Sequence, residues 1–319
     1  MLTSDSSGEN DIVPEGGFFE PGVLERIREN ESPPVIIEDF FNENEVQELL
    51  EIERNFSTRM VDRDDSRKTS FGDRISEWPK RLRELAYEKT TDVLGDFDLP
   101  VGQFPGHFIV NRFPLKLHVD SGKDPRSVLF KNILLPLEVN RSFGDVYSIL
   151  FKQRWYGPSA FFVSDVTKDN GGYDYILKDS NGIFIDVPDV RELVTCLEAD
   201  KGKIVPFLNG NFRASKSEVK KLKALTTKKR HNVRTNKHIR NDIPIDNDVY
   251  QRYLSHQPQE DFQSLEIDRV VKWKPGMLLA WDRTVIHSAS NFLKDGVTSK
   301  TAIGMFTTKP GAGLRSAQI

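Results

Sequence analysis

The chain holds one cysteine, Cys196, among 319 residues. That count removes a disulfide framework, a cysteine-rich zinc site and every CxxC redox motif, so any metal must be held by histidine and carboxylate. Histidine is also scarce, with six in the sequence. No apolar run approaches the length that a membrane-spanning helix requires. The opening residues, MLTSDSSGENDIVPEGG, carry acids where an export signal carries Lys or Arg, and the expectation is a cytoplasmic protein with no membrane partner. An excess of positive charge is missing too: 45 Lys and Arg against 48 Asp and Glu leave a net charge of −3, which argues against a dedicated nucleic-acid binder. No internal repeat or low-complexity tract is visible.

What the chain does have is bulk for a core. It is 37% apolar, with 21 Phe, 7 Tyr and 4 Trp, and a disordered chain lacks such groups to offset the entropy of folding. The charge is unevenly spread. Residues 1–60 hold 15 acids against 4 bases, while residues 213–240 hold 11 bases against one acid, Glu218.

Residues 1–30, rich in Gly, Glu, Ser and Asn, read as a poorly ordered leader, and a single domain is expected over 31–319, starting at Pro33-Pro34 and Val35-Ile36-Ile37. Asn42 and Glu45 have capping-box spacing, and Val46, Leu49 and Leu50 share a helical face, which predicts a helix over 43–55. A second helix is expected over 79–94, bounded by Pro79 and Gly95, and a third near 190–198. From residue 107 the pattern turns to short β-rich runs, HFIVNRF, LKLHVD, FKNILLPLE and DVYSILF, and such runs return after 265 as LEIDRVVKW, GMLLAWD, TVIHSAS and SKTAIGMFTT. The economical fold is mixed α/β with a mainly β core, a sandwich supported by N-terminal helices. It is interrupted by a long insertion at about 157–250, which Trp155-Tyr156-Gly157-Pro158 introduces and which contains the basic segment 213–240.

His118-Val119-Asp120 is the first chemical signal. On an extended strand residues i and i+2 point to one side and can grip one ion. A third ligand is available in His287, carried on a short strand after the Asp282-Arg283 turn. Two imidazoles and one carboxylate form the facial triad that holds ferrous iron and leaves positions for a 2-oxo acid and dioxygen.

With these residues in place, the sequence resembles the Fe(II)/2-oxoglutarate-dependent oxygenases of the phytanoyl-hydroxylase and prolyl-hydroxylase-like branch. The resemblance runs in patches over 107–156 and 250–308. Its most specific blocks are LHVDSGKDPRSVLFKNILLPL and WKPGMLLAWDRTVIHSASNF. It implies a double-stranded β-helix, or jelly roll of the cupin kind, with His118, Asp120 and His287 as the metal ligands and no catalytic side chain beyond them. It also implies a cation on the last strand for the far carboxylate of 2-oxoglutarate. Lys300 is the first choice, although Ala302 stands where relatives often carry a hydroxyl, and Lys131 is the alternative. Asn132, Tyr147 and His107 are further hydrogen-bonding candidates. The activity implied is hydroxylation of an unknown substrate, a small molecule or a peptide, using O2, with ascorbate as an accessory reductant and release of succinate and CO2. The intact carboxylate at Asp120 argues against the related halogenases, which replace it with a small residue.

Blander assignments compete at each position: a solvated His118–Asp120 pair, a core His287 bonded to a carbonyl, and ordinary structural use for Asn132, Tyr147 and His107. His231, His238 and His256 are expected as solvated loop residues, and Phe113, Phe130, Phe143 and Phe151 as core. Two whole-protein alternatives stand beside the oxygenase: a non-redox cupin-like metal or ligand binder, and a nucleic-acid binder acting through 213–240. That segment carries charge for phosphates but lacks the aromatic groups on which bases stack.

Overall fold

Strand-forming sequence dominates the computed structural model, which describes residues 10–13, 17–56, 61–63, 66–70, 80–100, 104–122, 124–141, 144–162, 175–178, 184–187, 204–207, 210–213 and 243–311. The first elements are β1 (Asp11–Ile12), α1 (Val23–Glu29), β2 (Val35–Ile37), α2 (Glu43–Phe56), β3 (Val61–Arg63) and β4 (Ser66–Ser70). Helix α3 (Lys80–Leu82) runs through a π-helical stretch, Arg83–Glu88, into α4 (Lys89–Leu94). Then come β5 (His107–Asn111), β6 (His118–Val119), β7 (Leu129–Arg141), β8 (Tyr147–Trp155) and β9 (Ala160–Phe161), followed by two hairpins, β10 (Tyr175–Lys178) with β11 (Phe184–Val187) and β12 (Ile204–Phe207) with β13 (Gly210–Arg213). After α5 (Asn247–Val249) the chain closes with β14 (Ile267–Lys272), β15 (Leu278–Asp282), β16 (Val285–Ala289) and β17 (Val297–Thr308).

Two sheets carry the fold. One has seven strands in the order β2-β15-β7-β17-β5-β4-β3; the other runs β1-β8-β16-β6-β9, with β14 also on β8. Alternation along the strands divides their apolar residues. Leu278 and Ala280 of β15 join Ile133, Leu135, Ile303 and Met305 in a cluster under α2, where Val46, Leu49 and Leu50 cover the large sheet. Their neighbours Leu279 and Trp281 instead meet Leu150, Val271 and Val285 of the smaller sheet, so the two sheets share an apolar interior. The outer side of the smaller sheet is closed by Ile245, Leu254, Phe262 and Leu265 against Ile149, Phe151 and Ile286. Burial of these side chains, at about 1.5–3 kcal/mol each for the larger aliphatics and Phe, is the main driving force for the arrangement.

Local signals place the helices and turns. The Asn42–Glu45 box closes reciprocally, Glu45 N donating to Asn42 Oδ1 at 3.0 Å and Asn42 N to Glu45 Oε2 at 2.9 Å, at the start of α2. Gly276 adopts φ +86 in the turn before β15, where a Cβ would lie 2.7 Å from the carbonyl oxygen of Phe41. Pro136 lies inside β7 between two partners; it brings no N–H to the ladder, and the β7–β17 register shifts between Thr301 and Ala302 at that point.

The 1–30 leader is corrected by the described residues within it. Strand β1 pairs in parallel with the end of β8, and Ile12 and Ile27 are buried. Two apolar side chains in a polar stretch suffice, because Trp155 and Tyr156 provide surfaces for them. Phe113 is also corrected: it is 51% exposed, whereas Phe130 and Phe151 are buried. His256 is not solvated, since Nδ1 is enclosed and Nε2 faces the carbonyl of Leu115 at 3.3 Å; burial pulls its pKa down to about 4. Both ends of the expected 157–250 insertion belong to the sheets or their cover, through β9 and residues 243–250. The expected helix at 190–198, the basic segment 213–240 beyond Arg213, Cys196, Phe143, His231 and His238 lie outside the described residues. No helix among the described residues is long and apolar enough to cross a membrane.

Candidate metal centre

Strand β16 is inserted between β6 and β8, with all five residues buried, and this places His287 opposite His118 on one side and Leu150 on the other. Asp120 follows β6 directly. One ligand atom from each of His118, Asp120 and His287 lies within 4.8 Å of the others. Asp120 Oδ2 stands 3.6 Å from His118 Nε2 and 3.3 Å from His287 Nε2.

The opposite ring nitrogens fix the tautomers. Nδ1 of His118 lies 2.6 Å from the carbonyl oxygen of Lys116, and Nδ1 of His287 lies 3.0 Å from that of Val285. A carbonyl only accepts, so each Nδ1 carries a proton, and Nε2 is the nitrogen that each ring directs at Asp120 and has available for a metal in the neutral form. Burial alone would raise the Asp120 carboxyl, but the two imidazoles hold it well below the ordinary carboxylate range. Burial disfavours protonation of His118, and Asp120 outweighs it to raise that pKa. At His287 burial and the neighbouring His118 push the pKa down.

Asn132, a candidate for the co-substrate, donates Nδ2–H to Asp120 Oδ2 at 2.9 Å and so orients that carboxylate. The ring of Trp281 stands edge-on to His287 with centroids 5.0 Å apart. Arg283, read from sequence only as a turn residue, is buried beside the centre. Its Nε donates to the backbone oxygen of Asp120 at 2.8 Å and its Nη1 to that of Thr307 at 3.1 Å. Nothing local marks it; only the wholly buried strands on either side hint that their turn is buried too.

The remaining candidates separate. Lys300 is 4% exposed, and its ammonium lies 3.9 Å from the centroid of Trp273 and 5.4 Å from that of Phe292. Those rings belong to an apolar cluster with Val146, Val297 and Ala302, fed by both sheets. Among the described residues Lys300 Nζ has no hydrogen-bonding or anionic partner, and desolvation brings it down to about 7. Its charge is felt at His118. Lys131, by contrast, is committed: its ammonium pairs with the Asp282 carboxylate and donates to Ser32 Oγ at 2.7 Å. Asp282 is held in turn by Arg154 at 2.8 Å, completing a compensated cluster with Glu31. Tyr147 turns away as well, with its hydroxyl 3.4 Å from Asp145 Oδ2 and its ring against Tyr253. His107 is buried with its ring 5.4 Å from that of Phe306.

The chain matches no protein-family model and no curated protein. Solved structures similar to it include an oxidoreductase of the 2OG-Fe(II) oxygenase family from Burkholderia pseudomallei, at 8% identity and TM-score 0.39 over 94% of this chain and 97% of that one. Another is HygX from Streptomyces hygroscopicus with nickel and 2-oxoglutarate bound, at 14% identity and TM-score 0.38 over 92% and 88% of the two chains. A third is a prolyl hydroxylase in complex with a hypoxia inducible factor oxygen degradation domain peptide fragment from Trichoplax adhaerens, at 11% identity and TM-score 0.39 over 93% and 91%. Similarity this distant assigns neither activity nor substrate, which the side chains of this chain have to supply.

Proposed function

We propose that the protein is an Fe(II)- and 2-oxoglutarate-dependent dioxygenase that hydroxylates a small molecule or peptide. The observation that carries the reading is Lys300: an ammonium enclosed by aromatic rings, with no anion beside it among the described residues, within electrostatic reach of His118. Leaving a desolvated cation unpaired is costly, and a carboxylate ligand relieves that cost. A non-redox metal binder has no use for such a group. The nucleic-acid alternative rests on 213–240, which beyond Arg213 lies outside the described residues.

The donor set fits ferrous iron. Two neutral imidazoles offer Nε2 lone pairs, Asp120 offers an ionised oxygen, and Asn132 and the carbonyls of Lys116 and Val285 orient the three. Iron held there supplies the redox chemistry, in which O2 oxidises 2-oxoglutarate to succinate and CO2 and one oxygen atom enters a substrate C–H bond. Lys300 holds the far carboxylate of the co-substrate, and Trp273 and Phe292 keep water from that ion pair. We read the two sheets as a double-stranded β-helix and the chain from Asp11 to Gly311 as one domain.

Succinate formation from 2-oxoglutarate, measured with Fe(II), O2 and ascorbate and no added substrate, tests this function. The reading predicts slow turnover by the unmodified protein and none by Asp120→Ala; turnover that survives Asp120→Ala contradicts it.

A further inference from the structure

Arg283 is a third buried cation beside Lys300 and the paired Lys131, 6% exposed, and the proposed activity gives it no task. Its bonds go only to two backbone carbonyls, leaving Nη2 with both N–H groups and no partner among the described residues. The guanidinium carbon lies 5.9 Å from the centroid of Phe306, a residue paired across the sheet with Asn132. Residue 122 is glycine at φ +80, and a Cβ there would come within 3.1 Å of Nη2. The absence of a side chain keeps that edge of the guanidinium clear.

Among the described residues the one carboxylate that acts on Arg283 is that of Asp120, which is engaged with Asn132 and the two imidazoles. Lys131, Arg154, Asp282 and Glu31 compensate one another in their own cluster. In the loaded site a divalent metal, Lys300 and Arg283 bring four positive charges, while Asp120 and doubly ionised 2-oxoglutarate bring three negative ones. One positive charge is left over, at Arg283.

Resting on the oxygenase reading, we infer that Arg283 is a specificity-determining residue that binds a singly charged carboxylate or sulfonate on the primary substrate through its Nη2 edge. The substrate class is a small organic monoanion, or a peptide presenting one carboxylate. A buried guanidinium is suited to this, because a charge-assisted hydrogen bond from Nη2 to an anion is strengthened by desolvation.

The test uses the full-length protein loaded with Co(II), with and without saturating 2-oxoglutarate. Benzoate, benzenesulfonate and uncharged benzamide are titrated while paramagnetic broadening of their proton signals is followed. With 2-oxoglutarate bound, the two anions are expected to broaden saturably and benzamide not to. Their affinity should fall on the order of tenfold in Arg283→Gln and return in Arg283→Lys, with 2-oxoglutarate affinity unchanged in both. Equal binding of benzamide, or anion binding that Arg283→Gln leaves intact, overturns the inference. Loss of 2-oxoglutarate affinity in Arg283→Gln also overturns it, by assigning Arg283 to the co-substrate. If Arg283→Gln does not fold, the comparison of benzoate with benzamide on unmodified protein still decides whether charge is read. Failure of the unmodified protein to bind 2-oxoglutarate would instead sink the oxygenase reading, separately from the anion arms.

Discussion

His118 and His287 are direct register partners on antiparallel strands β6 and β16, with ring centroids 4.2 Å apart. Backbone pairing thus brings together two candidate ligands 169 positions apart, and Asp120 completes the group two residues from the first. The fold itself gathers the three donor side chains, the arrangement that a labile ion held by three donors would need.

Removing a donor should therefore end metal binding. His287→Ala and Asp120→Ala are expected to abolish Fe(II) binding, and Asn132→Ala, which frees the Asp120 carboxylate to rotate, to weaken it by roughly 10–100-fold. Competitive titration of Co(II) or Fe(II) against a chromophoric chelator measures all three.

Lys300→Met separates stability from binding. Burial holds the Lys300 ammonium at about 7 against an ordinary 10.5, so the ligand-free fold bears the cost of desolvating it. Met keeps the packing on Trp273 and Phe292 without the charge. The variant should melt higher than the unmodified protein in the absence of ligand at pH 7, and bind 2-oxoglutarate at least about 100-fold more weakly, equivalent to roughly 3 kcal/mol. Calorimetric melting and titration with Ni(II)-loaded protein check the two halves.

The same group sets a pH dependence. Its folded pKa lies below its unfolded one, so the unfolded chain binds the extra proton between about pH 7 and 10.5. This group's contribution to ligand-free stability therefore rises with pH through that window and is least favourable below about 7. Co-substrate binding runs the other way. The carboxylate needs the ammonium, so above about pH 7 binding takes up a proton and affinity falls by up to tenfold per pH unit. Calorimetry in two buffers of different ionisation enthalpy reads the uptake. In Lys300→Arg, whose charge persists, that dependence should flatten.

The N-terminal segment carries a prediction about the fold alone. Ile12 is 1% exposed in the cluster with Trp155 and Phe162. Ile12→Ala should lower the free energy of unfolding by about 2–5 kcal/mol. A chemical-denaturation change well under 1 kcal/mol would restore the disordered leader that composition alone implies.

How far the site was legible in the sequence follows from the range of each determinant. Strand alternation and the HxD spacing are local, so β5, β7, β8, β15 and the grouping of His118 with Asp120 could be read directly, as could the Asn42–Glu45 cap. The choice between Lys131 and Lys300 was not local. Lys131 is neutralised by Asp282, 151 residues away, while Lys300 is distinguished by the absence of such a partner among the described residues. Arg283 stayed hidden because its burial depends on the ends of β6 and β17 closing over a turn. Phe113 failed in the opposite direction, since an apolar residue in a loop between strands is not obliged to be inside.

The most direct test of the whole account is succinate production from 2-oxoglutarate by Fe(II)-loaded protein, with Lys300→Met and His287→Ala run alongside. The account predicts measurable succinate from the unmodified protein alone, with turnover by Lys300→Met recovering only at greatly raised 2-oxoglutarate and His287→Ala inactive at any concentration. Equal succinate yields from all three proteins at low 2-oxoglutarate would contradict it.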